Sequence, residues 1–505
     1  MVHDRPIDLP TSSFASVYDR RRLAAAAGML PDLRQVIPRW PIVGGGRRVI
    51  VLGGGIAGLC AAWSLREAGF QPLLLERTSR VGGRFYTLRN HFGDQYVELG
   101  VTRIAETHVL TVGYARHFGL PLVDYPVEGA RMLFSLLGKR FASTTQGTAD
   151  YPDDFPLSPE ERKLDAEALS HFYTRQLFAR IGDPRDAAWP PAGARGEFAG
   201  ETFRRSLDRS AASLGAKEIC RAYDGTEIDV YDALGWLAIQ RLDTTWERSY
   251  AIPGGNDRLT TAFATSLGDC IVTAAHVQRV TSGKDRISVG YLRDGREETV
   301  EGDFVVCAIP HRILSEITFH PPLSEGKRSA AVAIQMLKVT RLNFQFTRRF
   351  WTLDERLQGL LVACTTSPIE RLWDLTTTQP GSHGILTAYV QDHNAEALDE
   401  LPTAEAQIAH GLTVMESFFP DARRHFVKGL SFSWHKQPWV KGAWSLVRPD
   451  QTDKLADLQR AEARVYLAGD HTSLYSGWAQ GALESAHFAV AEVIAAGRGS
   501  AQIAP

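Results

Sequence analysis

A glycine-rich turn constrains the fold of this chain more than any other sequence feature. Residues 49–52 form a short apolar run typical of a buried parallel strand, and residues 59–67 continue at helical period. Between them Gly53, Gly55 and Gly58 have the G-x-G-x-x-G spacing. These glycines permit a sharp turn, a close approach of backbone to a pyrophosphate, and close packing of helix against strand. The sequence therefore predicts a dinucleotide-binding βαβ unit with the helix N-terminus facing the phosphates.

The residues after this unit suggest two more contacts with the nucleotide. A second apolar run, residues 72–75, ends at Glu76, whose carboxylate is placed to accept hydrogen bonds from a ribose. Gly82 and Gly83 follow, and a glycine pair there can bring backbone to the far side of the pyrophosphate. Arg84 would add a cation against it. We expect a second phosphate contact at this position.

Length and composition limit the class of protein. A chain of 505 residues exceeds what one core usually holds, so two or three domains are expected. The net charge of −2 gives no basis for binding nucleic acid or an anionic membrane surface. The five cysteines lie far apart without a C-x-x-C pair, and neither H-x-x-x-H nor H-E-x-x-H occurs, so we expect no disulfide framework and no metal site.

The N-terminus is predicted to be an extension, residues 1–45, with one helix. Arg20, Arg21 and Arg22 precede a short apolar stretch that faintly resembles a twin-arginine export signal, but Pro31 and Asp32 end it early. No apolar run in the sequence reaches the length of a membrane span. With scattered cysteines typical of a reducing compartment, these features favour a cytoplasmic protein.

The remaining segments alternate in character, which predicts a mixed α/β protein with interleaved domains. Strand-like runs return after residue 270, and longer alternating runs follow after residue 333. Amphipathic helical stretches fill the region before residue 249 and are suited to covering a site. We expect a nucleotide domain from residues 46–104, 250–330 and 431–500, a substrate domain with an antiparallel sheet from 105–155 and 331–430, and a helical insertion at 156–249.

A second motif lies near the C-terminus and restricts which dinucleotide the chain is expected to bind. The stretch V-Y-L-A-G-D, residues 465–470, ends a buried strand, and Gly477-Trp478 opens the last helix. Together with Gly82-Gly83-Arg84, this pattern resembles the flavin-containing amine oxidase family over roughly residues 46–500, most closely the L-amino acid oxidases. The resemblance implies a Rossmann-like FAD-binding domain of the glutathione-reductase type.

The resemblance also implies which residues hold FAD. Asp470 would hold the ribityl or phosphate region, the backbone at Gly100 and Val101 would lie beside the isoalloxazine, and Val277 would meet the adenine. The predicted FAD-binding residues are Gly53, Gly55, Ile56, Ala57, Gly58, Glu76, Arg77, Gly83, Arg84, Gly100, Val101, Thr102, Arg103, Val277, Gly469, Asp470, Gly477, Trp478 and Ala479. The family's covalent flavin cysteine is replaced by Ala443, so noncovalent FAD is expected.

Substrate contacts follow from the same resemblance. Arg103 matches the arginine with which L-amino acid oxidases bind the substrate carboxylate, a task that suits a bidentate guanidinium. Trp444 and Trp478 match two aromatic positions that flank the flavin, and Gly477 adjoins the second. The residues of the distal pocket are expected in the helical insertion and in residues 333–390, where Trp373 lies.

One position departs from the family pattern. The family's active-site lysine near flavin N5 falls at Arg341, and Lys338 is out of register by three residues. Arg341 either takes over the role of holding water, or reads a polar substrate group, or is a structural strand arginine. His108, His311, His435 and His471 are interpreted as solvated or hydrogen-bonded structural residues.

The implied reaction is oxidative deamination of an L-amino acid, with hydride transfer from Cα to flavin N5. The products are a 2-oxo acid, ammonia and hydrogen peroxide, and the expected partners are the amino acid and O2. The catalytic set is Arg103, Arg341, Trp444 and Trp478. Three alternatives stay open: an amino acid 2-monooxygenase, an amine oxidase without carboxylate recognition, and a flavin-binding protein without turnover. A homodimer is expected because dimers are common in the family.

Overall fold

The computed structural model describes residues 37–501 except 126–129, 145–146, 185–188, 199, 243–247, 354–359, 367, 447–450, 452–453 and 474. The arginine triplet of the predicted N-terminal extension therefore lies outside the described residues. Of the extension's described part, Ile37, Trp40 and Val43 pack against the core of the nucleotide sheet.

A five-stranded parallel sheet lies at the centre of the nucleotide-binding half. Its inner strands are apolar on both faces because both faces are covered, which explains their continuous hydrophobic sequence. Val49 and Val51 pack against helices, whereas Ile50 and Leu52 pack against a second, four-stranded sheet. The helices Ile56–Glu67 and Ala479–Ala501 pack against each other over this sheet. In spatial order the strands are Ile271–Val272, Gln71–Leu75, Arg48–Leu52, Phe304–Cys307 and Val465–Leu467.

Two glycines make the predicted turn possible. Gly53 has φ +99°, a conformation that side chains disfavour, and it turns the chain out of the first strand. A Cβ on Gly58 would lie 1.9 Å from the carbonyl oxygen of Gly53, so only a glycine allows the helix to approach the strand this closely. The sequence prediction of a sharp turn with close helix–strand packing is thus confirmed.

Smaller sheets connect the nucleotide-binding half to the rest of the chain. A four-stranded sheet packs against one face of the parallel sheet, with strands in the order Arg296–Gly302, Ile287–Arg293, His276–Ser282 and Thr318–His320. A three-stranded sheet joins Ile104–Ala105, Ser249–Ala251 and Val123–Tyr125. Two-stranded pairs form between Thr87–Phe92 and Gln95–Glu98, and between Gln335–Met336 and Ser445–Leu446. Segments distant in sequence are therefore neighbours in the fold.

A seven-stranded sheet forms the second half, and its two faces differ in chemistry. Leu342 and Phe344 pack against the helix Ala404–Met415 on one face. Arg341 and Gln345, on the opposite face, donate hydrogen bonds to the backbone of residues 92–100. The strands follow the order Phe426–Ser433, Val339–Phe346, Gly384–Gln391, Arg371–Asp374, Leu360–Thr365, Arg131–Leu136 and Lys139–Thr144. All neighbouring pairs are antiparallel except Leu360–Thr365 with Arg131–Leu136.

Helices fill the predicted insertion. They are Ala166–Ile181, Ala192–Phe198, Phe203–Arg209, Leu214–Asp224 and Ala233–Leu242. The other helices are Val109–His117, Arg258–Leu267, Glu325–Ala333, Asp392–Asp399, Ala422–His425 and Lys454–Gln459. The domain boundaries stay a prediction, and the strand Phe426–Ser433 crosses the one expected at residue 430.

The described part of the chain contains no helix that is both long enough and apolar enough to cross a bilayer. All five cysteines are unpaired.

We expect Gly58→Ala to destabilise the protein by roughly 2–3 kcal/mol, because the added methyl group must push the helix away from the Gly53 carbonyl. Gly193→Ala is the matched control, since Gly193 also lies in a helix and a Cβ there would meet no atom within 4 Å. Alanine there should leave stability unchanged or raise it by up to about 1 kcal/mol. Urea unfolding measures both, and equal stability of the two variants would contradict this account.

Candidate active site

A continuous cavity runs from the carboxyl ends of the parallel strands to the polar face of the seven-stranded sheet. The sequence-predicted site residues line it with one exception, Gly58, which lies beneath the turn. The lining residues are Gly53, Gly55, Ile56, Ala57, Glu76, Arg77, Gly83, Arg84, Gly100, Val101, Thr102, Arg103, Val277, Arg341, Trp444, Gly469, Asp470, Gly477, Trp478 and Ala479. Residues separated by more than 400 positions in sequence thus surround one space.

The two glycine motifs form one backbone cradle at the start of the cavity. The amide of Gly82 donates to the carbonyl of Gly54 at 2.7 Å. A Cβ on Gly83 would lie 3.2 Å from the Cα of Gly55, so the two turns are in contact. A Cβ on Gly55 itself would meet no atom within 4 Å, so this part of the turn faces open space. A phosphate fits such a place, with backbone N–H groups close by.

Glu76 is held rigidly at the end of its strand. One carboxylate oxygen accepts from the amide of Gly54 at 2.7 Å. The other accepts from the amide and the hydroxyl of Thr78, both at 2.8 Å. This acid therefore presents a fixed carboxylate to the cavity, as the ribose contact requires.

Arg84 joins the N-terminal and C-terminal motifs. Its guanidinium forms a two-pronged ion pair with the carboxylate of Asp470 and donates to the carbonyl of Ala443 at 2.7 Å. Burial opposes ionisation of Asp470, but the charge and hydrogen bonds of Arg84, with the amide of Gly477, lower its pKa below the usual value. The predicted contact of Arg84 with a pyrophosphate stays a prediction; the structure shows its bond to Asp470.

Arg341 clamps the segment that the resemblance puts beside the flavin. Its guanidinium donates to the carbonyl of Glu98, to that of Gly100 at 2.6 Å, and to the hydroxyl of Tyr389. It lies over the Tyr389 ring at 4.1 Å. Burial lowers the pKa of Arg341 from its ordinary value. Of the three interpretations left open by the sequence, this geometry favours the structural one.

Lys338 does not take the place of the family lysine. It is exposed and forms an ion pair with Glu396, away from the cavity lining. Asn256 adds to the clamp of Arg341, because its side-chain amide donates to the carbonyls of Val101 and Thr102 at 3.0 and 3.1 Å. No sequence motif indicates this asparagine, which lies just before the helix Arg258–Leu267.

The far end of the cavity carries aromatic rings around Arg103. The guanidinium of Arg103 lies over the ring of Trp373 at 4.5 Å. A Cβ on Gly477 would lie 3.0 Å from the Trp444 ring, so this ring packs directly on the backbone before Trp478. The chain thus places a cation and two tryptophans, Trp444 and Trp478, on the wall of the same cavity.

Sequence reasoning missed several residues of this wall. Tyr389 pairs with Arg341 across neighbouring strands, a contact that only the register of the sheet creates. The helical insertion contributes Tyr231 and Trp236. The one available signal was the position of Trp373 in the region expected to form the distal pocket.

Two buried histidines lie behind the ion pair of Arg84 with Asp470. The rings of His311 and His471 are 5.5 Å apart, and Nε2 of His311 bonds the carbonyl of Ile334 at 2.9 Å. Burial lowers the pKa of His311 to about 4 and that of His471 to about 3. Both imidazoles are therefore neutral in the folded protein near pH 7.

Comparison with known proteins gives the family. The family model for flavin-containing amine oxidoreductases matches residues 56–494, so the chain belongs to this family. It is 26% identical over 487 residues to the flavin-dependent L-tryptophan oxidase RebO of Lentzea aerocolonigenes, covering 90% of this chain and 99% of that one. It is 25% identical over 466 residues to an L-amino-acid oxidase of Siganus canaliculatus, covering 88% and 85%.

Solved structures agree on the fold. Cyclohexylamine oxidase from Brevibacterium oxydans IH-35A superposes with a TM-score of 0.74 at 19% identity, covering 89% of this chain and 99% of that one. A triple mutant of putrescine oxidase gives the same TM-score at 22% identity, with the same coverage. The predicted family and fold class are confirmed, and the chain is an oxidoreductase of the flavin-dependent type.

The buried histidines predict a loss of stability in acid. Their folded-state pKa values lie below the unfolded value near 6.5, so the unfolded chain binds more protons as pH falls from 6.5 towards 4. The free energy of unfolding should therefore drop there, by at most about 1.4 kcal/mol per pH unit and histidine. His471→Gln should flatten this dependence in urea unfolding between pH 7.5 and 5, and exposed His410→Gln should not. A slope unchanged by His471→Gln would contradict the prediction.

Proposed function

We propose that this protein oxidatively deaminates an L-amino acid, using noncovalent FAD and O2 and producing a 2-oxo acid, ammonia and hydrogen peroxide. The observation that carries the proposal is Arg103, a cation stacked on Trp373 in the cavity wall that also contains Trp444 and Trp478. A fixed guanidinium in an aromatic pocket suits a carboxylate, which a simple amine lacks.

The described residues fit FAD. The open cradle at Gly55 suits the pyrophosphate, and the fixed carboxylate of Glu76 suits a ribose. Ala443 offers no thiol for a covalent bond, which supports noncovalent binding. When bound, FAD supplies the two-electron acceptor for the hydride that leaves Cα.

The chain's own contribution to the reaction is binding and orientation. Arg103 would hold the carboxylate and so fix the direction in which the Cα–H bond points. Trp444 and Trp478 would border an apolar slot that favours the neutral amine and excludes water. The bonds of Arg341 to the carbonyls of Glu98 and Gly100 would keep the neighbouring backbone in place, a role that needs no proton transfer.

The partners and the location follow as further proposals. An L-amino acid and O2 are the proposed reactants, a homodimer the proposed assembly, and the cytoplasm the proposed location. Among the alternatives, an amine oxidase receives specific support, because the cyclohexylamine and putrescine oxidases share the fold. The 2-monooxygenase and a flavin-binding protein without turnover have no observation in their favour.

The decisive experiment is a peroxide-coupled screen of the flavoprotein against the proteinogenic L- and D-amino acids and their decarboxylated amines, followed by product analysis. We expect peroxide, ammonia and a 2-oxo acid from one or more L-amino acids. An amide with carbon dioxide would identify a monooxygenase instead. Turnover confined to amines would refute carboxylate recognition, and absence of flavin reduction by every compound under anaerobic conditions would indicate a protein without this turnover.

Removing the cation should separate amino acids from amines. Arg103→Met should lower kcat/KM for the best amino acid by roughly 10²–10³-fold, because a charge-assisted, two-pronged contact is lost along with the substrate orientation. Turnover of the corresponding amine should change by less than about threefold. Arg103→Lys keeps the positive charge but loses the two-pronged geometry of the guanidinium. Its kcat/KM for the amino acid should therefore lie between those of the wild type and Arg103→Met. Steady-state kinetics measures this, and an equal loss for both substrates would count against a carboxylate site.

A further inference from the structure

His108 is a buried polar residue in the cavity wall that the sequence analysis interpreted as structural. It directly precedes the helix Val109–His117, and its backbone amide donates to the carbonyl of Ala105 at 3.0 Å. Its side chain is 2% exposed and lines the cavity. The imidazole lies 4.9 Å from the Trp478 ring, at an interplanar angle of 64°. It therefore lies beside a residue already assigned to the site.

Neither ring nitrogen of His108 has a hydrogen-bond partner among the described residues. Two other buried histidines in the described part of the chain differ in this respect. Nε2 of His311 bonds the Ile334 carbonyl at 2.9 Å, and Nε2 of His487 bonds the Tyr114 hydroxyl at 2.8 Å. The ring nitrogens of His108 are not among the unpartnered polar atoms that the protein seals from solvent, so they are accessible from the cavity. A ligand in the cavity can therefore form a hydrogen bond with His108, as a protein neighbour does with the other two histidines.

The charge environment determines which ligand group fits. Burial, together with the positive charge of Arg103, lowers the pKa of His108 to about 3. The imidazole is therefore neutral, with one N–H donor and one acceptor nitrogen. His108 and Arg103 line the same cavity. A neutral donor in the same wall as a cation suits a carboxylate oxygen, because it adds a directional bond without adding a second charge that Arg103 would repel.

We propose that His108 is a second carboxylate-binding residue, whose imidazole N–H donates a hydrogen bond to the substrate carboxylate held by Arg103. This inference rests on the proposed function and extends it. It assigns recognition of the α-carboxylate to two neighbouring segments, the loop that carries Arg103 and the residue that directly precedes the following helix. Substrates are thereby restricted to carboxylate-bearing amines.

Binding of unreactive ligands tests the proposal without turnover. The oxidised flavoprotein is titrated with des-amino analogues (propionate, 4-methylpentanoate and 3-phenylpropionate) and with the corresponding alcohols, and the change in the visible flavin spectrum gives Kd. His108→Phe keeps a ring against Trp478 but removes both nitrogens. It should weaken carboxylate binding by about tenfold, the effect of one hydrogen bond, and leave alcohol binding unchanged.

Two variants provide the controls. His108→Gln retains a neutral N–H donor and should stay within about threefold of the wild-type Kd for carboxylates. His487→Phe removes a buried imidazole outside the cavity lining and should not change carboxylate affinity. If His108→Phe does not fold, His108→Met gives the same comparison, since it fills a similar volume without a donor.

The outcomes distinguish the two proposals. If Arg103→Met loses carboxylate affinity and His108→Phe does not, the role assigned to His108 is wrong while the proposed function stands. An equal loss for carboxylates and alcohols in His108→Phe would also overturn it, because the ring would then only pack against Trp478. If neither variant loses carboxylate affinity, the proposed function fails as well.

Discussion

The ion pair between Arg84 and Asp470 is the interaction on which the arrangement of the cavity depends. Arg84 follows the second glycine motif, and Asp470 lies three residues after the last strand of the parallel sheet, so the pair joins segments 386 residues apart. The carboxylate also accepts from the amide of Gly477, which fixes the backbone just before Trp478. Buried charges persist when they are paired and hydrogen-bonded. This one ion pair therefore connects the backbone cradle of the glycine motifs to the end of the cavity that contains Trp444 and Trp478.

Arg341 occupies the position at which the sequence resemblance implies a lysine, and its contacts differ from those that a lysine could make. A lysine has one ammonium group at the end of a flexible stem, whereas the guanidinium forks towards several acceptors. Here two of those acceptors are the backbone carbonyls of Glu98 and Gly100, and a third is Tyr389. These bonds direct its terminal N–H groups to the protein, so a lysine-like role in holding water has no support in this geometry.

Local patterns predicted the fold well, and the site only in part. The Gly53 and Gly58 turn and the family motifs are encoded by neighbouring residues, so periodicity and spacing identify them. Tyr389 and Asn256 were not predicted from the sequence. The contact of Tyr389 depends on the register of the sheet, and that of Asn256 joins loops distant in sequence. His108 was interpreted as structural from the sequence, and the role proposed above rests on its lack of a hydrogen-bond partner among the described residues, a three-dimensional property with no sequence signal.

The backbone that leads to Arg103 is held in place by hydrogen bonds from two side chains. Arg341 binds the carbonyls of Glu98 and Gly100, and Asn256 binds those of Val101 and Thr102. Arg103 therefore extends from backbone that is fixed on its N-terminal side, and Trp373 supports the face of its guanidinium. A cation held in this way loses little further freedom when it binds a carboxylate, so more of the interaction energy remains for orientation. Carboxylate recognition would then depend on the clamp as much as on Arg103 itself.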